Sequence, residues 1–236
     1  MKILAIIPAR SGSKGLKDKN IKVMNGKPLM AYTIEAAVES RIFDKIIVST
    51  DSSAYAKIAE EYGAEVPFLR PDHLSGDEVA TDDVIIDLLE KLKEDGDVYE
   101  YFIILQPTSP LRTSKDIVNA MALMKKKDAN AVISLCETEH SPLYTGLVSE
   151  DLRIDGFIKK DIGYRRQDLP KYHRLNGAIY LSRVDYFLKY QDLYKEKCYA
   201  YVMDKSRSID IDDELDFRMA EFLFDCFEKN VFSKVM

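Results

Sequence analysis

Residues 3–20 read ILAIIPARSGSKGLKDKN: an apolar run from Ile3 to Ile7, then at once a loop of glycines, hydroxyls and cations. A continuous apolar run closed by Pro8 suits a strand buried on both faces, the usual state of a parallel strand. In the loop, Gly12 and Gly15 let the backbone turn sharply and bring N–H groups toward a ligand. Ser11 and Ser13 add hydroxyls, while Arg10, Lys14, Lys17 and Lys19 add positive charge. Amide nests flanked by cations are what a polyphosphate needs, and open parallel sheets take ligands at the carboxyl ends of their strands. The stretch is neither a Walker loop nor a three-glycine dinucleotide loop. A solvated basic turn is the plain alternative, and the lack of any acidic residue before Asp18 weighs against it.

Outward from this loop, short apolar runs alternate with helical patterns, the form of an α/β protein with a parallel sheet covered by helices. Strands are expected at 3–7, 45–50, 101–105, 131–135, 177–181 and 198–203. Helices are expected after Pro28, from Asp82 to Leu92, after Ser114 as a cap, and after Asp212 or Asp213. In the last helix the spacing predicts a buried stripe of Leu215, Met219, Phe222, Leu223, Cys226 and Phe227. Between Glu137 and Leu175 the pattern breaks, with turn residues and a basic cluster at Lys159, Lys160, Arg165 and Arg166. Residues 137–175 therefore read as an inserted arm within one domain spanning 1–236, a surface loop being the alternative.

The chain has 236 residues, 46% of them hydrophobic and 31% charged, with a formal net charge of −6. The acidic balance argues against nucleic acid or an anionic membrane as partner. The N-terminal apolar run is too short for a signal peptide and no segment has the length of a membrane span. Three scattered cysteines and three scattered histidines fit a reduced protein without a zinc site. A cytoplasmic enzyme is the expectation.

Three further segments offer chemistry. In Ser208-Ile209-Asp210-Ile211-Asp212, strand-like alternation puts the two aspartates on one face, spaced by roughly 7 Å. Such a pair suits Mg²⁺, although Asp212 as a helix cap is an equal reading. Leu105-Gln106-Pro107-Thr108-Ser109-Pro110-Leu111-Arg112 would present Gln106 from a stiff loop, or be a structural turn. Arg165, Arg166 and Gln167, with Arg174, Leu175 and Asn176, form a possible carboxylate-binding set, or a solvated surface.

Together IIPARSGSKGLKDKN, IIVSTD, LRP with LSGDEVATDD, LQPTSPLR, GYRRQDLP, NGAIYLS and SIDIDDELD, in this order, resemble the acylneuraminate cytidylyltransferase family, which makes CMP-sialic acid. The resemblance covers nearly the whole chain. It implies a Rossmann-like three-layer sandwich with a mostly parallel sheet, and a homodimer whose inserted arm reaches the partner's site. It implies CTP as co-substrate, held by Ala9, Arg10, Ser11, Gly12, Ser13, Lys14, Gly15, Lys19 and Asn20, with Arg70 and Thr81 near base and ribose. Gln106, Arg166, Gln167, Asn176 and Tyr180 would meet the sugar acid. Asp210 and Asp212 would hold Mg²⁺, and Arg10, Lys19 and Asp212 would carry the catalysis. Tyr144 stands where some members carry a lysine near the sugar. The same resemblance extends to enzymes for legionaminic, pseudaminic and 3-deoxy-manno-octulosonic acids, and a non-catalytic nucleotide-binding homologue is the reading from another class.

Overall fold

The computed structural model describes residues 1–13, 15–158 and 169–231. Its sheet grows from β1 (Ile3–Pro8), whose residues from Ile3 to Ile7 are at most 2% exposed. β1 pairs in parallel with β4 (Lys45–Ser49) and with β5 (Tyr101–Ile104). Beyond β5 lies β7 (His173–Arg183), antiparallel both to β5 and to β6 (Ala131–Glu137). β8 (Cys198–Met203) closes the edge in parallel with β6. The order is β4-β1-β5-β7-β6-β8, so β7 alone runs against the others and the sheet is mostly parallel. A two-stranded hairpin, β2 (Val23–Met24) with β3 (Lys27–Pro28), stands apart from it.

Side-chain alternation divides β1 between two helical layers. Ile3, Ala5 and Ile7 pack with residues of α1 (Leu29–Ser40), α2 (Ser53–Glu61) and α4 (Ser114–Lys127). Leu4 and Ile6 pack with α3 (Thr81–Glu94) and α5 (Val184–Tyr190). This is the expected three-layer sandwich. α2, α5 and the hairpin were not expected from the sequence; all three are short.

A third, small core matters most for function. Leu16, Met24, Leu29, Tyr32, Ile211, Phe217 and Ala220 bury one another, joining the glycine loop, the hairpin, α1 and α6 (Glu214–Glu228). Here the structure corrects the stripe expected on α6. Leu215, Met219 and Phe222 are 68%, 49% and 67% exposed; Cys226 of the expected stripe is buried, but the other buried positions, Phe217 and Ala220, lie outside it. Both phases of this helix are apolar and both carry aromatics; the small core takes Phe217, and Phe224 also packs there, edge-on to Tyr32 with centroids 5.0 Å apart.

The segment 208–212 forms no strand; it is a loop pinned by the Ile211 N–H donating to the Thr108 carbonyl at 2.9 Å. Thr113, not Ser114, caps α4, and Asp213, not Asp212, caps α6 in a reciprocal box with Asp216. The arm also starts and ends later and earlier than its composition suggests. Glu137 belongs to β6 and residues 173–175 to β7, paired as Glu137 with His173. Of the arm's apolar residues, Leu147 is 96% exposed and Leu152 77%. The arm's basic cluster, with Arg166 and Gln167, lies outside the described residues, as does Lys14.

The two neighbouring aspartates should therefore separate cleanly in a urea unfolding series. Asp213→Ala is expected to cost about 1 kcal/mol through loss of the cap. Asp212→Asn, whose side chain is 84% exposed, is expected to leave stability near that of the wild type. Equal losses would return the cap to Asp212.

Candidate functional site

At the carboxyl ends of β1 and β5 the structure opens a cavity of about 670 Å³. Into it come Arg10, Ser13, Gly15, Lys19 and Asn20 from the first loop, Arg70 and Thr81 from the flank, Gln106, and both Asp210 and Asp212. The sequence placed these residues together, although they span two hundred positions. A second cavity of about 320 Å³ adjoins it, lined by Tyr180, Leu193 and Tyr194 among others, and shares Thr81 and Gln106 with the first. Gln106 thus stands at the junction.

The loop keeps its shape through contacts that the sequence reading passed over. Ser11 does not reach the cavity; its N–H and hydroxyl donate to the two carboxylate oxygens of Asp51 at 2.7 and 2.6 Å. Burial pushes the Asp51 carboxyl up, but the Ser11 bonds outweigh it and hold the group below the usual carboxylate range. Asn20 donates to the Arg10 carbonyl at 3.0 Å, closing the loop's other side. Gly12 has φ +72, and Ala9 is fully buried, so both shape the loop from behind. At Gly15 a Cβ would lie 2.6 Å from the Asp212 carbonyl oxygen; only glycine lets the loop meet the acidic segment. Asp51 was legible only as the last letter of a strand-end motif.

The cations are held at defined places. Lys19 donates to the Ile211 carbonyl at 2.6 Å and faces Asp212 at 3.3 Å. Arg70, largely buried, donates to the Ser49 carbonyl at 2.8 Å and to its hydroxyl at 3.1 Å. Burial draws its guanidinium down, with Asp51 opposing and Arg10 assisting. Arg10 pairs with Asp77, which the sequence reading also missed.

Opposite them stand the carboxylates. Asp210 is mostly buried, and burial is the first reason its carboxyl lies above the usual range; Asp212 adds to this, while Thr108, Lys19 and Arg174 oppose it. A Cβ on Gly177 would lie 2.8 Å from both Asp210 Oδ2 and Gln106 Oε1, so this glycine, at φ +74 in β7, lets two site oxygens approach one backbone. Tyr180 is pushed up to about 12, first by burial and then by Tyr194 and Asp210, so it stays a neutral hydroxyl. Among the described residues no three His, Cys, Asp or Glu converge as a metal site, so any ion here would complete its shell from other oxygens.

Asn176, expected at the sugar, lines neither cavity. It is fully buried behind the cavity, accepting from the Ser134 hydroxyl at 2.6 Å and donating to the Ser208 hydroxyl at 3.0 Å. A buried amide needs its partners satisfied, and here they tie β6 and β7 to the acidic loop. Arg174 is likewise engaged, with Glu139 at 3.2 Å and the Ser208 carbonyl at 3.3 Å.

The Asp210 environment gives a signed expectation. Its folded pKa is raised, so the folded state keeps the proton longer, and stability falls as pH rises through that folded value. Asp210→Asn is expected to raise the Tm of the ligand-free protein at pH 7.5. The gain should vanish below the ordinary carboxylate pKa of about 3.9. A lower Tm at pH 7.5 would show the carboxylate to be satisfied by its neighbours.

No helix among the described residues is long and apolar enough to cross a membrane. The family described as cytidylyltransferase matches residues 4–233. The chain is 43% identical to an N-acylneuraminate cytidylyltransferase of Streptococcus agalactiae serotype V over 92% of its own length and 52% of the relative's, so it spans about half of that protein. It is 35% identical to a CMP-N,N'-diacetyllegionaminic acid synthase of Legionella pneumophila, over 95% of this chain and 97% of that one. Among solved structures, a CMP:2-keto-3-deoxy-manno-octonic acid synthetase complexed with CTP shares the fold, with TM-score 0.71 at 15% identity, covering 95% of this chain and 99% of the other. Strand end, glycine loop and acidic pair meet at the carboxyl ends of β1 and β5 in a chain matched almost end to end, and the protein belongs to the cytidylyltransferase family.

Proposed function

We propose that the protein couples CTP to a nonulosonic, sialic-type sugar acid and releases pyrophosphate. The observation that carries this reading is the divided cavity: Arg10, Lys19 and Arg70 face Asp210 and Asp212 in one part, and Gln106 leads into the smaller part beside Tyr180. The first part has the charge for a triphosphate and the second the size and hydroxyls for a sugar. The anomeric hydroxyl of the acid attacks the α-phosphorus, the bond to the β-phosphate oxygen breaks, and pyrophosphate leaves.

This chemistry depends on positioning and charge neutralisation. Arg10 and Lys19 meet the phosphates, which take the place of their carboxylate and carbonyl partners. Ser13 and the loop amides approach the same oxygens, Arg70 and Thr81 flank the nucleoside, and Gln106 and Tyr180 orient the sugar. Asp210 and Asp212 fit Mg²⁺: they are hard oxygen donors on one wall, and the raised Asp210 is a carboxylate that a cation would relieve. When bound, the ion would neutralise phosphate charge and polarise the α-phosphoryl group. Arg166 and Gln167 are proposed to meet the sugar carboxylate from the arm. In keeping with the family's substrates we place the protein in the cytoplasm.

We further propose a homodimer formed through the arm. Leu147, Val148, Leu152 and Ile154 expose 96%, 56%, 77% and 60% of their surfaces on one short segment, a density of bare apolar residues that association would cover. Leu147→Asp with Leu152→Asp is expected to halve the mass measured by light scattering. A wild-type protein that is monomeric at micromolar concentration would remove the proposal.

The enzymatic reading is tested by pyrophosphate release with Mg²⁺, each nucleoside triphosphate, and a panel of nonulosonic acids. Release is expected only with CTP and one acid. The Legionella relative, matched end to end, makes N,N'-diacetyllegionaminate the second acid to try after N-acetylneuraminate. Arg10→Ala is expected to lower turnover about 100-fold, the usual loss for one oriented donor at a developing charge, and Asp212→Asn to lower it by orders of magnitude without unfolding. No release with any pair despite CTP binding would favour a non-catalytic nucleotide-binding protein.

A further inference from the structure

The side chain most at odds with its surroundings is Arg112, at the end of the stiff loop after β5. It is 2% exposed, the largest side chain so deeply buried, and forms no ion pair among the described residues. Burial alone draws its guanidinium down to about 10, with Asp116 opposing. Asp116 is itself occupied by Arg207 at 2.5 Å, by Tyr201 at 3.0 Å and by the cap of α4. One nitrogen of Arg112, Nη1, has no hydrogen-bond partner among the described residues. Taking a guanidinium out of water is costly, and no ion pair among the described residues offsets that cost.

Its other nitrogens show where it acts. Nη2 donates to the Thr33 hydroxyl at 2.7 Å and to the Gln106 carbonyl at 3.4 Å; Nε donates to the Ala178 carbonyl at 3.3 Å. Thr33 donates in turn to the same Gln106 carbonyl at 3.3 Å. Three segments, α1, the loop after β5 and β7, are thereby joined behind the cavity. Ala178 follows Gly177, the residue over which Gln106 Oε1 and Asp210 Oδ2 converge. The guanidinium fork thus grips the backbone on both sides of that close approach, and its planar geometry fixes distances as a flexible lysine would not.

We propose that Arg112 is a positioning residue for Gln106, holding its backbone against β7 so that its amide stays at the junction of the two cavities. The proposal rests on the reading of Gln106 as a sugar contact. It predicts that the arginine serves sugar capture and alignment more than nucleotide binding, since its hydrogen bonds go to Thr33, Gln106 and Ala178 and to none of Arg10, Lys19 or Arg70.

The test is a double-mutant cycle on the full chain: Gln106→Ala, Arg112→Met and the pair, assayed by pyrophosphate release against CTP and sugar acid separately. Arg112→Met is expected to keep a wild-type-like Tm and CTP KM, and to lose about tenfold or more in kcat/KM for the sugar acid. In the Gln106→Ala background the same change is expected to cost about twofold or less, because two residues acting through one contact are not additive. Full multiplication of the two losses, wild-type kinetics for Arg112→Met, or an equal rise in the CTP KM would each overturn the proposal. If Gln106→Ala alone leaves sugar kinetics untouched, the reading of Gln106 fails first and the proposal with it. Should Arg112→Met not fold, Thr33→Val removes the shared hydroxyl isosterically; it is expected to raise the sugar KM with the CTP KM unmoved, and unchanged sugar kinetics would overturn the proposal.

Discussion

Ile211 is completely buried between two aspartates that both reach the cavity. Its side chain sits in the small core with Leu16 and Phe217, its N–H is held by Thr108, and its carbonyl receives Lys19. Burying a side chain of this size contributes about 2 kcal/mol, set against the repulsion of the carboxylates on either side. On either side of it Asp210 is mostly buried, while Asp212, more exposed, faces Lys19 at 3.3 Å. Leu16 enters the same core from the glycine loop, so one apolar contact fixes the distance between the cationic and acidic walls. Gly15 makes that distance short, since any side chain there would strike the Asp212 carbonyl.

The cations of the site are not waiting bare. Arg10 rests on Asp77, Lys19 on Ile211 and Asp212, Arg70 on Ser49. Each is already oriented by an acceptor, so the entropy of ordering long side chains is largely met in the folded protein. A polyphosphate entering such a site exchanges one set of oxygens for another, and selectivity comes from placement of the acceptors it must replace.

Much of this was readable in the letters. Uninterrupted apolar runs mark the strands because both sheet faces are covered, and the glycine and lysine spacing marks the loop because few other structures need it. What escaped reading depends on partners remote in sequence. Asp51 and Asp77 look like ordinary surface acids until the fold sets them against Ser11 and Arg10. Asn176 sits in a promising motif, yet its amide is consumed by Ser134 and Ser208. The phase of α6 was misread because its two faces are nearly equally apolar, and only the packing of Phe217 and Phe224 decides between them. The reversal of β7 has no local signature: an antiparallel strand buried on both faces carries the same apolar run as a parallel one.

That reversal has a topological consequence. Because β6 and β7 are antiparallel neighbours, the arm is simply the loop of a hairpin whose mouth is zipped at Glu137 and His173, with Thr138 bonded to the Tyr172 carbonyl at 2.9 Å. A parallel arrangement would have demanded a crossover of at least about a dozen residues and of fixed hand. A hairpin demands neither, and lengthening its loop twofold costs only about 0.6 kcal/mol in closure entropy. The pairing that closes this mouth therefore fixes neither the length nor the sequence of the arm.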